Sequence, residues 1–141
     1  SFPTRRSSDL ELPKTILYPL DGMKIETWAV LAAGFCDGTV KGKVQLGAPW
    51  WFNDQAFGIK RQFEACANLY PVSLSVGMLT DSRSFISYPR HELYRRVLCN
   101  YLGELVDRGE YFSGEAALKQ VIEDVCFNNV NEFFGFHVNE G

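Results

Sequence analysis

The sequence lacks several features that would assign the protein to a particular class. No apolar run reaches the roughly 18 residues that a membrane-spanning helix needs. Basic residues are not in excess, since 14 Lys and Arg stand against 17 Asp and Glu, so there is no positive footprint for nucleic acid. The first residues do not have the charged-then-apolar order of a secretory signal peptide. We therefore expect neither a membrane nor a nucleic acid as a partner.

Recognisable cysteine and histidine motifs are also missing. The four cysteines include no Cys-x-x-Cys, and neither histidine stands in metal-ligand spacing. Three of the cysteines lie on the apolar faces of predicted helices, where a free thiol behaves as a small hydrophobic group. We expect reduced core thiols in a cytoplasmic protein, rather than disulfides or a zinc site, at Cys36, Cys66, Cys99 and Cys126.

What is present is enough apolar sequence for one domain. The 141 residues are 46% hydrophobic and 14% aromatic. Residues 1–10 (SFPTRRSSDL) stand apart, because one reading frame of a widely used sequencing adapter encodes them, and we expect an artefact there; the alternative is a flexible polar terminus. A chain that begins in adapter sequence is expected to have lost its true amino-terminal portion.

Strand patterns alternate with helical patterns along the chain. Helical spacing of apolar residues predicts helices over 23–35, after an Asn53-Asp54 cap, from Pro89 to about Asp107, and after a Ser113 cap. Short apolar runs predict strands at Thr15–Tyr18, Lys43–Gly47 and Leu74–Thr80. This order implies an α/β fold with a parallel sheet, and three such strands leave two sheet edges open.

Asp81 and Arg83 follow the last predicted strand. In extended backbone, residues two apart point the same way, so both side chains can face one ligand. An ionised Asp can bind a divalent metal or accept a proton, and a guanidinium offers a fork of donors to a carboxylate. The alternative is a loop ion pair with Asp81 as a turn former and a solvated Arg83.

Adjacent tryptophans follow the preceding predicted strand. Trp50 and Trp51 could stack against sugar rings, or could belong to the core. Asp54 is expected to cap a helix. His91, near a helix start, is expected to stay neutral, and either contacts substrate or is a structural histidine. Arg90 is expected to lie on a solvated helix face or to pair with an acid.

These strand-end motifs resemble those of uronate (glucuronate) isomerases. The resemblance covers about residues 12 to 134 and is weakest over 21–42. It rests on long ungapped motifs: Leu12–Tyr18 (LPKTILY), Trp50–Gln55 (WWFNDQ), Gly77–Phe85 (GMLTDSRSF), Ser87–Glu92 (SYPRHE) and Asp124–Asn129 (DVCFNN).

The resemblance implies a fold and an activity. The family adopts a (β/α)8 TIM-type barrel of the amidohydrolase superfamily, and the three strands here would be its sixth, seventh and eighth, followed by terminal helices. Residues 11–141 would then be the carboxyl-terminal fragment of a single barrel catalytic domain. The family interconverts D-glucuronate with D-fructuronate and D-galacturonate with D-tagaturonate by proton transfer, in hexuronate catabolism. A hexuronate partner, a divalent metal cofactor (zinc), a cytoplasmic location and a homo-oligomer are implied as well.

The resemblance also implies roles for individual residues. Asp81 would be a metal ligand and a catalytic proton-transfer residue. Arg83 would be catalytic and substrate-binding, and Trp50 and Trp51 would contribute to the substrate pocket. The family's metal site also needs a His-x-His pair, which this sequence does not contain. We therefore expect the 141-residue chain by itself to be inactive and to bind metal poorly.

Two other interpretations stay open. One is another metal-dependent hydrolase of the same superfamily, against which Arg83 and the Trp-Trp-Phe-Asn-Asp motif argue. The other is a small α/β binding module without catalytic activity, which would unfold in one cooperative transition.

Overall fold

The computed structural model describes residues 12–36, 38, 40–111 and 113–138. The predicted artefact at residues 1–10 lies outside this range. The regular elements are β1 (Thr15–Leu17), α1 (Ile25–Ala33), β2 (Val44–Leu46), α2 (Ala56–Ala67), α3 (Pro89–Asp107), α4 (Glu115–Glu123) and α5 (Asn129–Phe134). Short 3₁₀ turns occur at Gly22–Lys24, Trp51–Asn53, Val72–Leu74 and Phe85–Ser87, and a π-helical turn, Asp124–Asn128, joins α4 to α5.

The two strands form a parallel pair with α1 between them in sequence. Thr15 lies opposite Val44 and Leu17 opposite Leu46. Backbone hydrogen bonds continue the pairing at both ends, from Thr15 N–H to the Lys43 carbonyl (2.8 Å) and from Gly47 N–H to the Leu17 carbonyl (2.9 Å). The predicted α/β class is confirmed, and the carboxyl ends of both strands lie at the same edge of the sheet.

The third predicted strand is wrong for the described residues. Residues 75–80 form no ladder with β2. The amide of Val76 instead donates to the side-chain Oε1 of buried Gln45, at 3.0 Å. Gly77 has a φ of 75°, which interrupts the extended backbone that a regular ladder needs. An apolar run indicates that a segment is buried, and here the segment is buried without pairing as a strand.

Two predicted helix caps are also wrong. Helix α2 begins after Gln55, whose Oε1 accepts from Phe57 N–H at 2.8 Å, so Asp54 is not the cap. Helix α4 begins after Gly114 and has no side-chain cap, so Ser113 does not fill that role. The prediction for α3 is confirmed, with Pro89 in its first turn, where a missing N–H costs nothing.

Helices α2 and α3 pack on each other to form the larger core. Phe63 of α2 lies between two tyrosines of α3, 5.3 Å from Tyr94 and 5.7 Å from Tyr101 between ring centroids. Met78 and Val125 belong to the same buried cluster, which ties residues 76–78 to the π-helical turn. A smaller cluster joins Ala29, Leu46 and Cys66, between α1, β2 and α2.

The four cysteines differ in how deeply they are buried. All four thiols are free, but only Cys66 is buried, because Cys36 and Cys99 are exposed and Cys126 is half-buried. The prediction of core thiols is therefore wrong for the two exposed ones.

Among the described residues, the helices include none that is both long and apolar enough to cross a membrane.

Candidate active site

A cleft of about 700 Å³ opens at the carboxyl edge of the sheet. Its walls come from four parts of the chain: the residue after β1, the residues after β2, the loop at 78–83 and the first turn of α3. The lining residues are Tyr18, Trp50, Met78, Leu79, Thr80, Asp81, Ser82, Arg83 and His91. Three residues predicted from sequence, Trp50, Asp81 and Arg83, therefore lie around one space.

Tyr18 is placed in the cleft by its position directly after β1. A side chain on Gly47, the residue after β2, would collide with the Tyr18 ring, so the glycine makes room for the phenol. Burial, and then the negative charge of Asp81, raise the pKa of Tyr18. The phenol therefore stays protonated near neutral pH and can donate a hydrogen bond to an oxygen in the cleft.

Asp81 and Arg83 project from the loop that follows residues 75–80. Both side chains are exposed, and among the described residues no ion pair joins them. The alternative of a loop ion pair is therefore wrong, although the expected solvent exposure of Arg83 is observed. Asp81 has a φ of 43°, which is left-handed backbone and uncommon for a residue other than glycine.

The two tryptophans differ in their surroundings. Trp50 is half-buried and its ring centroid lies 5.3 Å from that of Trp51 in an edge contact. Trp51 is 60% exposed, so the alternative that it packs in the core is wrong. It lines an adjoining cleft of about 430 Å³, together with Phe52, Asp54 and Arg90. The two clefts share Trp50, Thr80, Asp81 and Ser82.

Asp54 and Arg90, which line the adjoining cleft, form an ion pair. An oxygen of Asp54, Oδ2, contacts Arg90 Nη2, and Arg90 Nη1 donates to the Thr80 carbonyl at 2.7 Å. Asp54 is held at the end of the Trp51–Asn53 turn, where its N–H donates to the Trp51 carbonyl. Gly58 of α2 allows this turn to lie against the helix, since a Cβ there would collide with the Asn53 backbone. Of the two alternatives expected for Arg90, pairing with an acid is the one observed. Asp54 is its partner and does not cap α2.

His91 lies in the first turn of α3 and faces the same cleft as Asp81. Burial first, then the positive charges of Arg95 and Arg90, lower the pKa of His91. The predicted direction is therefore confirmed, but its causes differ from the helix N-terminus that the sequence suggested. A neutral imidazole in this position can exchange hydrogen bonds with hydroxyl groups.

The donor set of the cleft does not make a complete metal site. Within the part of the chain that is described, no three His, Cys, Asp or Glu side chains lie close enough to hold a metal ion. Asp81 offers one carboxylate, whereas protein zinc sites use three or four protein ligands. A metal bound here would need further ligands that these residues do not provide.

Sequence reasoning missed Tyr18 as a cleft residue and the Asp54–Arg90 pair. Tyr18 could have been found by the rule applied to Asp81, because it too follows a parallel strand directly. The Asp54–Arg90 pair had no local signal, because the two residues are distant in sequence and their contact depends on how α2 packs on α3.

Comparison with known proteins points to one family. A family model described as glucuronate isomerase matches residues 2–134. The uronate isomerase of Photorhabdus laumondii is 52% identical over 124 residues, which are 88% of this chain and 26% of that protein. That of Phocaeicola vulgatus is 48% identical over 136 residues, which are 96% of this chain and 29% of that protein.

A solved structure agrees in shape as well as in sequence. The crystal structure of uronate isomerase from Thermotoga maritima has a TM-score of 0.76 at 33% identity, over 86% of this chain and 25% of that one. The glucuronate isomerase of Caulobacter crescentus has a TM-score of 0.78 at 26% identity, over 97% of this chain and 27% of that one. The chain thus spans little more than a quarter of the length of the relatives it matches.

Proposed function

The chain belongs to the glucuronate isomerase family, and we propose that it forms one wall of the active site of a uronate isomerase. The family resemblance predicted from the motifs is confirmed. The observation that carries the proposal is the cleft in which Asp81, Arg83, Trp50 and Tyr18 meet. The names of the relatives favour this function over that of another metal-dependent hydrolase.

We propose the barrel position of the chain on the same basis. Strands β1 and β2 would be the sixth and seventh strands of a (β/α)8 barrel, and residues 75–80 would follow the path of the eighth. The parallel pairing of β1 and β2 across α1 supports this placement. Active sites of such barrels lie at the carboxyl ends of the strands, which is where the cleft is.

Asp81 would move the proton in the reaction. An aldose–ketose isomerisation removes the proton from C2 of the aldose, forms an enediol, and places a proton on C1. The C1 carbonyl oxygen becomes a hydroxyl and the C2 hydroxyl becomes a carbonyl, so no atom is gained or lost. A carboxylate that faces the substrate can accept the proton from C2 and return it to C1.

The other cleft residues would bind and stabilise the substrate. The Arg83 guanidinium can pair with the hexuronate carboxylate or with negative charge that develops on an enediolate oxygen. Tyr18, kept as a neutral phenol, can donate to a substrate oxygen. The face of Trp50 can pack against the apolar face of the sugar chain.

A divalent metal, zinc, remains part of the proposal for the whole enzyme. Asp81 would contribute a single carboxylate ligand, and the other ligands would come from residues outside those described.

We also propose a cytoplasmic location, which the four free thiols support because thiols stay reduced there. A homo-oligomer is proposed for the whole enzyme on the family resemblance.

A hybrid enzyme tests the proposed function. In this hybrid enzyme, residues 12–134 of the chain replace the matching segment of the Photorhabdus laumondii uronate isomerase, which is 52% identical. We expect it to convert D-glucuronate to D-fructuronate, and Asp81→Asn to lower kcat by about 10²–10⁴-fold, the usual contribution of a proton-transfer group. The measurement is a coupled assay of ketose formation.

The control replaces a carboxylate far from the cleft. Asp107→Asn at the exposed end of α3 should leave kcat unchanged. A correctly folded hybrid enzyme with no turnover, or an Asp81→Asn variant with full turnover, would contradict the proposal.

A further inference from the structure

We propose that Asp54 and Arg90 are positioning residues that fix the backbone at Asp81 and so hold its carboxylate in place for the reaction. This inference rests on the proposed function, in which Asp81 transfers the proton. Neither residue lines the larger cleft, and both act through Thr80, the residue before Asp81. Nothing in the motif pattern assigned this role.

One guanidinium joins three parts of the chain. Arg90, in the first turn of α3, contacts Asp54 Oδ2 through Nη2. Its other terminal nitrogen, Nη1, donates to the Thr80 carbonyl oxygen at 2.7 Å. The loop that carries Asp81 is therefore fastened to α3 and, through Asp54, to the turn that precedes α2.

The Thr80 carbonyl controls Asp81 because the peptide bond between them is planar. The carbonyl oxygen of Thr80 and the N–H of Asp81 lie in one plane and point in opposite directions. A hydrogen bond that fixes the carbonyl therefore fixes the N–H as well. With this plane held, rotation about φ is the remaining backbone freedom that sets the direction of the Cα–Cβ bond of Asp81.

The backbone of Asp81 needs such support. Its φ of 43° lies in the left-handed region, which is disfavoured for residues with a side chain and which Asp tolerates better than most. Conformations of this kind persist where the surroundings hold them on several sides. On the carboxyl-terminal side of Asp81, Ser82 Oγ accepts from Ser87 Oγ at 2.6 Å and from Ser84 N–H at 3.2 Å. On the amino-terminal side, Arg90 fixes the Thr80 carbonyl.

The Asp54 side chain is buried enough for its charge to matter. It is only 10% exposed, and Arg90 is 29% exposed. Its second oxygen, Oδ1, is buried and has no hydrogen-bond partner among the described residues. A carboxylate placed in this way depends on its cation, and the pair is less screened by water than the exposed pairs of Glu92.

Arginine is the side chain that this arrangement needs. Its planar fork presents two donors in fixed directions, one for the carboxylate and one for the carbonyl. A lysine in the same place would keep the positive charge and an ion pair with Asp54. It could not hold the Thr80 carbonyl in the same geometry, because its single ammonium sits on a flexible stem.

The test compares turnover with stability in the hybrid enzyme. Arg90→Lys is expected to lower kcat for D-glucuronate by about 10–100-fold, the scale of a small displacement of a catalytic group. The thermal midpoint should stay close to that of the unmutated hybrid enzyme, since the ion pair remains. KM should change less than kcat, because Arg83, Tyr18 and Trp50 are left in the cleft.

Two further variants complete the experiment. Asp54→Asn keeps the size of the side chain and removes its charge, so it should also lower kcat. This variant still tests the proposal if Arg90→Lys fails to fold. Arg96→Lys, on the same helix but 74% exposed and paired among the described residues with Glu92 alone, is the matched control and should leave kcat unchanged.

Three results would overturn the proposal. They are a kcat within twofold of the parent in Arg90→Lys, a kcat within twofold in Asp54→Asn, and losses of kcat that merely follow the fraction of unfolded protein. An unmutated hybrid enzyme without turnover would instead count against the proposed function itself.

Discussion

At the scale of single residues, His91 shows how burial and then neighbouring charges lower the pKa of a side chain in the cleft. Its imidazole is partly buried and two arginines of the same helix lie nearby, so its pKa is lowered. The neutral form can donate from one nitrogen and accept at the other, which suits a polyhydroxylated ligand. No local sequence pattern places this ring beside Asp81.

We expect the His91 imidazole in the hybrid enzyme to titrate below the value of about 6.5 found in model peptides. Arg95→Gln should raise this pKa, because it removes one of the two nearby positive charges. Hydrogen exchange at the imidazole C2 position, followed by mass spectrometry across pH, measures the pKa for each histidine. A peptide spanning residues 86–95 provides the unfolded reference, and an identical pKa in the peptide and the enzyme would contradict the prediction.

The same shift predicts how stability depends on pH. Because the folded protein binds the His91 proton less tightly, the unfolded chain holds more protons between the folded pKa and about 6.5. The free energy of unfolding therefore rises with pH across this window, and the contribution is lost as the pH falls through it.

At the scale of elements, helices were predictable where packing and propensity agree. The apolar spacing of α2 and α3 identified the faces that bury Ile59, Phe63 and Leu98. Residues 74–80 were predicted as a strand because their apolar character indicates burial but does not show whether a pairing partner exists. Their position depends on two side chains that no local pattern reveals. Gln45 Oε1 accepts from Val76 N–H, and Asn129 Nδ2 donates to the Ser75 carbonyl.

The substitution Gly77→Ala tests how residues 75–80 are held against the π-helical turn. A Cβ there would collide with the Val125 carbonyl, and its φ of 75° is strained for any other residue. Gly77→Ala should lower the thermal midpoint of the hybrid enzyme, since the left-handed backbone alone costs about 1–2 kcal/mol. Turnover should fall with it, because Gly77 leads into the Asp81 loop.

Gly103→Ala is the matched comparison for this substitution. Gly103 lies inside α3, and a Cβ added there would meet nothing within 4 Å, so alanine should stabilise the helix by about 0.5–1 kcal/mol. Differential scanning calorimetry of both variants measures the effect. Equal midpoints for Gly77→Ala and the parent would show that the contact with Val125 does not hold the loop.

At the scale of the whole molecule, the 141-residue chain exposes more apolar surface than its small sheet can cover. Phe57, Phe85 and Ile86 are each more than four-fifths exposed. The sheet has two strands of three residues, and such a pair is marginal without further strands beside it. The site could be predicted as a set of strand-end residues, but the clefts between them depend on this three-dimensional packing.

We expect the isolated 141-residue chain to bind the dye ANS strongly and to unfold without a single sharp transition. It should also show no isomerase activity. The hybrid enzyme, in which the apolar surface is covered, should bind little dye and unfold at a defined temperature. ANS fluorescence and near-ultraviolet circular dichroism measure both proteins. A cooperative transition in the isolated chain would favour the alternative of a self-contained binding module.

The contact between Gly77 and Val125 also has a consequence for synthesis on the ribosome. Asn129 donates to the carbonyls of Ser73 and Ser75, so residues that hold the segment leading into the Asp81 loop are translated about fifty residues after that segment. The strands and α1 to α3 can emerge and pack first. The cleft reaches its final shape only after α4, the π-helical turn and α5 have left the exit tunnel, so the ribosome releases the strands well before it releases a finished site.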